Sequence, residues 1–206
     1  MLAYGAYRTR AAAVFEMFIF STCILHFRAI VFFLCPSWIC YTRPMEPIIA
    51  ADGREVALEC LGCAISKKEV EPPGGMIAET DHFTLANDFE YPIKGFLIIG
   101  SKRHFQNVAD FTPEESADFS SFLIKTRKAM RDVLGIQQVT IIQEEKSKDS
   151  HFHVWMFPWH EWMKEIGSDI VSIRAIMQYA KEHYSTKEMT EEISTDSQKL
   201  REYFSR

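Results

Sequence analysis

Residues 150–158 read Ser150-His151-Phe152-His153-Val154-Trp155-Met156-Phe157-Pro158. Aromatic and β-branched residues alternate along them, which predicts a strand. Strand side chains alternate faces, so His151, His153, Trp155 and Phe157 share one face and Phe152, Val154 and Met156 the other. Neighbours on one face stand roughly 6.6 Å apart. The second set is wholly apolar and belongs against a core. The first holds two imidazoles in register, where one can ligate a metal and the other act as a nucleophile. A core strand with hydrogen-bonded histidines is the plainer reading, and the upstream segments bear on the choice.

A polar link, residues 144–149, separates this strand from Gln-Val-Thr-Ile-Ile-Gln at 138–143. The short link predicts antiparallel pairing of the two. Thr112-Pro113-Glu114-Glu115 is a helix start: Thr caps, Pro suits the first helical position, and Glu three residues on completes a capping box. Phe119, Phe122, Leu123, Met130 and Val133 follow at helical spacing, and Gly135 ends the helix. The apolar run at 96–100 predicts a central strand buried on both faces, ended by Lys102, Arg103 and His104. Residues 75–80 and 82–87, after the turn cluster Pro72-Pro73-Gly74-Gly75, read as two short strands broken at Asp81. Residues 168–184 form an amphipathic helix and 187–204 a charged one. The order implies an α+β fold, an antiparallel sheet with one main helix packed on it and C-terminal helices. It divides into 45–165, the domain proper, and 166–206, a helical extension.

Residues 1–44 differ from the rest. Four arginines against one glutamate give them +3, which leaves −8 for residues 45–206 of the net −5. Charges and His26 interrupt the apolar stretches before they reach the roughly 20 residues of a bilayer span, and no cleavage pattern of a secretory signal follows. Translated upstream sequence with Met45 as the natural start, a membrane-associated tail, and a part of the fold are the open readings; a membrane partner enters only with the second. The net negative charge argues against a stable nucleic-acid partner. Five cysteines without a spaced framework argue for a reducing, cytoplasmic location. The 206 residues, 47% hydrophobic, suffice for a core without disulfides.

Phosphate-loop, dinucleotide-fold and zinc-protease motifs are missing from the sequence. Cys60-Leu61-Gly62-Cys63 has the spacing that brings two thiolates to one tetrahedral zinc. A thiol redox role wants that motif after a buried strand, and the preceding stretch is polar. A buried thiol pair is the plainer alternative. His104 and His151 are the best placed further ligands; His82, His160 and His183 read as structural or solvated.

From Cys60 to Trp159 the chain resembles the histidine-triad (HIT-like) proteins. The resemblance rests on the cysteine pair of the zinc-binding members, on Gly95-Phe-Leu-Ile-Ile-Gly-Ser-Lys-Arg-His104, on the helix start at Thr112, and on His151-x-His153-x-Trp155-x-x-Pro158 in place of the full H-x-H-x-H-x-x-Pro. A register with Asp149 in the first position is the rival; Pro158, three residues after the third position, favours His151 as the first. The resemblance implies a structural zinc on Cys60, Cys63, His104 and His151, and a catalytic group of His153, His151 and Trp155 with His153 as nucleophile. It implies Asp88 on a nucleotide ribose and Lys102, Ser150 and Lys148 toward phosphate. The implied activity is hydrolysis or nucleotidyl transfer on a nucleotide or dinucleoside polyphosphate, through a covalent nucleotidyl-histidine; a catalytically idle nucleotide-binding sensor is the alternative. A homodimer is implied as well. Trp155 and the short acidic link 144–149 depart from the pattern and leave the phosphate contacts open.

Overall fold

The structure is a computed structural model and describes residues 47–145 and 150–206. Residues 1–44 and Lys148 lie outside the described residues. Five strands form one antiparallel sheet in the order β3-β4-β5-β7-β6: β3 Ala78–Glu79, β4 Phe83–Asn87, β5 Leu97–Ser101, β6 Val139–Gln143 and β7 His153–Pro158. A hairpin of β1 Ile48–Ile49 and β2 Glu55–Val56 stands apart from it in hydrogen bonding.

One face of the sheet carries Phe83, Leu85, Leu97, Ile99, Val154 and Met156, all buried, under helix α2 Pro113–Asp132. The capping box at Thr112 forms as the sequence implies, and Glu115 also takes both Nε and Nη2 of Arg103 at 2.9 and 2.8 Å. That fork fastens the start of α2 to the chain just past β5. Arg103 therefore holds the Glu115 carboxyl well below its usual range, at about 2. Gly135 adopts φ +69°, the left-handed conformation of a helix stop.

The other face carries a second core at one end. Ile173, Ile176, Met177 and Ala180 of helix α3 Ile173–His183 bury there against Phe96, Phe157 and Ile93. Helix α4 Lys187–Phe204 lies on the α2 side: Leu200 joins the first core and Phe204 meets Phe122 edge-on. Asn87 donates to Ser197 Oγ at 2.7 Å, and Arg201 donates to the Gly74 carbonyl at 2.8 Å. A Cβ on Gly74 would stand 2.6 Å from Ser197 Oγ, so the Pro-Pro-Gly-Gly turn is the seat of α4. The C-terminal helices thus contribute to both cores. Among the described residues no helix is long and apolar enough to cross a membrane.

Two expectations shift. Residues 96–100 are not buried on both faces: Leu97 and Ile99 face the core, while Ile98 and Gly100 border a cavity. The histidine strand starts at His153 rather than 150, because the Phe152 N–H turns to the Phe105 carbonyl at 2.7 Å instead of a neighbouring strand.

Candidate functional site

Antiparallel register does the first part of the assembly. Gly100 pairs with His153 across β5 and β7, so the chain beyond Ser101 and the chain before His153 leave the sheet at the same end. His104 and His151 meet there, Nδ1 to Nδ1 at 3.2 Å. Helix α1 Leu61–Ser66 meets that end where Ser66 Oγ stands 3.4 Å from the Lys102 carbonyl. Cys60 caps α1 and Cys63 lies in its first turn.

The four donor atoms of Cys60, Cys63, His104 and His151 lie within 4.8 Å of one another. Sulfur–nitrogen separations are 3.3 to 3.5 Å. A tetrahedral zinc with bonds of about 2.3 Å to sulfur and 2.0–2.1 Å to nitrogen has edges of about 3.5 Å for S···N and about 3.3 Å for N···N. Five of the six edges therefore match one zinc, with all four positions filled by protein, as a structural site requires. The cysteines are free thiols.

The His151 ring is committed at both nitrogens. Nε2–H donates to the Ser101 carbonyl at 2.6 Å, which aims the Nδ1 lone pair at the cluster. Burial lowers its pKa, with His104 and His153 adding to that and the Ser101 carbonyl opposing it, so the ring stays neutral, as a ligand must. Gly62 lies against this ring, and a Cβ there would stand 2.5 Å from its Cγ. Burial, followed by the neighbouring Cys60, raises the Cys63 thiol in the metal-free chain, which a bound cation would reverse.

His153 is held differently. Its Nδ1 is 2.8 Å from the His151 carbonyl. A carbonyl only accepts, so Nδ1 carries the proton and, in the neutral ring, Nε2 keeps the lone pair. Phe152, between the two histidines, is 1% exposed among Phe83, Phe105, Phe111 and Phe119. Full burial of such a ring contributes about 1.5–3 kcal/mol, and it fixes the backbone on which both imidazoles are mounted.

His153 borders a cavity of about 390 Å³ floored by the sheet. The small residues Thr84, Ala86 and Gly100 leave its space, and Trp155 forms one wall, edge-on to Phe96 at 5.7 Å. Asp88 stands at the β4 end. Its Oδ1 accepts the Glu90 and Tyr91 N–H groups at 2.9 Å each, yet burial outweighs them and pushes its carboxyl up to about 6.

The structure brings Cys60, Cys63, His104 and His151 together at one end of the sheet, and the adjoining cavity is bordered by His153, Trp155 and, toward the opposite end of the strands, Asp88. It does not bring Lys102, whose Nζ is 3.1 Å from Glu79 Oε2 and donates to the Thr80 carbonyl; strand β3 captures it before it reaches the cavity. Ser150 is half-buried and does not line the cavity. His151 has Nε2 on the Ser101 carbonyl and Nδ1 in the four-atom cluster, so a place as metal ligand accounts for both of its nitrogens. Two residues escaped the sequence reading: Gly62, whose place inside the cysteine pair was the signal, and Arg174 of α3, which borders the cavity with Cζ 4.5 Å from the Trp155 ring.

No family model and no curated protein matches the sequence. Solved structures do match. A Zn-bound histidine triad family protein from Mycobacterium smegmatis superposes with a TM-score of 0.50 at 16% identity, over 71% of this chain and 93% of that one. A hypothetical histidine triad nucleotide-binding protein from Sulfolobus tokodaii gives 0.51 at 19%, over 71% and 92%. At these identities the likeness establishes the fold: this is the antiparallel α+β histidine-triad architecture.

Proposed function

We propose that the protein is a HIT-like hydrolase or nucleotidyltransferase for nucleotide phosphates, working through a covalent nucleotidyl group on His153. The observation that carries the reading is the Nδ1–H bond of His153 to the His151 carbonyl, which leaves Nε2 as a lone pair beside the cavity. The histidine-triad fold supports it, and so does the naming of the similar Sulfolobus structure as a nucleotide-binding protein.

In the proposed reaction Nε2 attacks the α-phosphorus of a dinucleoside polyphosphate or nucleoside phosphoramidate. An N–P bond forms as the bond to the leaving group breaks, and the leaving group departs with that electron pair. Nδ1–H stays hydrogen-bonded to the His151 carbonyl, whose dipole stabilises the positive charge that develops on the ring. Water, or a second phosphate in a transfer, then attacks phosphorus and the N–P pair returns to Nε2, the surplus proton of the water passing to solvent. Asp88 takes the ribose end of the cavity. Zinc bound by Cys60, Cys63, His104 and His151 would supply structure, tying α1 to the ends of β5 and β7. A cytoplasmic homodimer, with residues 45–165 as the nucleotide domain and 166–206 as its extension, belongs to the same reading.

The test is release of mononucleotide from diadenosine polyphosphate by the full chain and by His153→Ala. The reading expects turnover by the parent and loss of at least a thousandfold in the variant. Retained activity would remove His153 as nucleophile. Nucleotide binding without turnover by the parent would favour the idle sensor module.

A further inference from the structure

We infer that Arg174 binds and positions a substrate phosphate, supplying from helix α3 the cation that Trp155 on the sheet cannot. The inference rests on the nucleotide-phosphate reading above. The residues bordering the cavity include three acids, Glu59, Asp88 and Glu90, and among the described residues Arg174 is the only lysine or arginine there. A polyanion entering meets like charge except where the guanidinium stands.

The placement is built rather than incidental. Arg174 follows Ile173, which is 2% exposed in the second core, so the anchored first turn of α3 fixes its backbone. The guanidinium stacks on Trp155 at 4.5 Å, and the Trp155 ring lies 6.3 Å from that of His153. The cation thus stands one ring beyond the proposed nucleophile. Trp155 aligns with Ile142 across β6 and β7, and Glu144, two residues on, accepts from Arg174 Nη2 at 2.7 Å.

That partner does not disqualify it. Glu144 takes one of five N–H donors, and the Arg174 side chain is 56% exposed. An exposed ion pair is worth at most about fivefold, whereas a charge-assisted, bidentate phosphate contact is worth about 10- to 100-fold. Phosphate wins the exchange, and the planar fork on an indole face suits it better than a lysine would.

The experiment measures affinities of the full chain, by calorimetry, for the four ribonucleosides and their 5′-monophosphates. The parent is expected to bind at least one monophosphate about tenfold or more above its nucleoside. Arg174→Met should bring that ratio to within about twofold while leaving nucleoside affinity unchanged, and Arg174→Lys should recover part of it. A ratio that survives Arg174→Met, or one absent in the parent, overturns the inference and leaves the His153 reading standing. No nucleotide affinity in the parent removes both. Should Arg174→Met not fold, Glu144→Gln decides: releasing the guanidinium should raise the ratio, and an unchanged or lower ratio overturns the inference.

Discussion

Replacing Gly62 by alanine attacks the metal centre without touching a ligand. The new Cβ would stand 2.5 Å from His151 Cγ and 2.6 Å from Cδ2, where carbon atoms ordinarily approach to about 3.5–4.0 Å. The imidazole must retreat by about 1 Å, several times the roughly 0.2 Å that a zinc–ligand bond tolerates. The ring cannot slide freely, because Nε2–H is bound to the Ser101 carbonyl at 2.6 Å and the next residue, Phe152, is locked in the core. Disturbing the orientation of a ligand costs about 10- to 100-fold in metal affinity, or about 1.4–2.8 kcal/mol. Overpacking adds about 1–3 kcal/mol against the fold itself. Zinc affinity of the full chain, measured in competition with a chromogenic chelator, should fall at least tenfold, with the far-UV circular dichroism retained. Zinc affinity within twofold of the parent would refute the packing argument.

Chelation should destabilise the parent: at free zinc a thousand times its Kd the bound ion adds about 4.1 kcal/mol, so stripping it should lower Tm by about 8–16 °C, and no shift on adding chelator to the zinc-loaded chain would contradict the site. Asp88 gives a pH signature of the opposite sign from the usual carboxylate. Burial lifts its pKa from 3.8 to about 6, so between these values the native carboxyl keeps a proton the unfolded chain has lost, and stability falls as pH rises through that window. Asp88→Asn retains an acceptor for the Glu90 and Tyr91 N–H groups and should stabilise the protein at pH 8 by up to about 3 kcal/mol. The gain should vanish below pH 4 while nucleotide affinity drops; a variant less stable than the parent at pH 8 would contradict the burial argument.

Local chemistry was legible in the sequence wherever neighbours along the chain decide it. The capping box at Thr112 and Glu115, the apolar face of Phe152, Val154 and Met156, and the antiparallel pairing over 138–158 follow from spacing alone. The cysteine pair with His104 and His151 required the resemblance as well, because it takes the sheet register to bring residues 60, 104 and 151 together. Lys102 misled for the same reason: the glutamate that captures it lies on β3, and strand alternation says nothing about a side chain beyond the strand's end. Arg174 was invisible, since an arginine on an amphipathic helix reads as a solvated face until α3 is seen to pack on the cavity side. Ile173, Ile176 and Met177 of the same helix bury in the second core on that side.

The measurement that bears most directly on the division of labour between the two imidazoles is the site of nucleotidylation. Full-length protein mixed with a dinucleoside polyphosphate, quenched within one turnover under conditions that preserve N–P bonds, and mapped by mass spectrometry should carry the nucleotidyl group on His153 and none on His151. A group on His151, or none on either histidine while mononucleotide is released, would contradict the account.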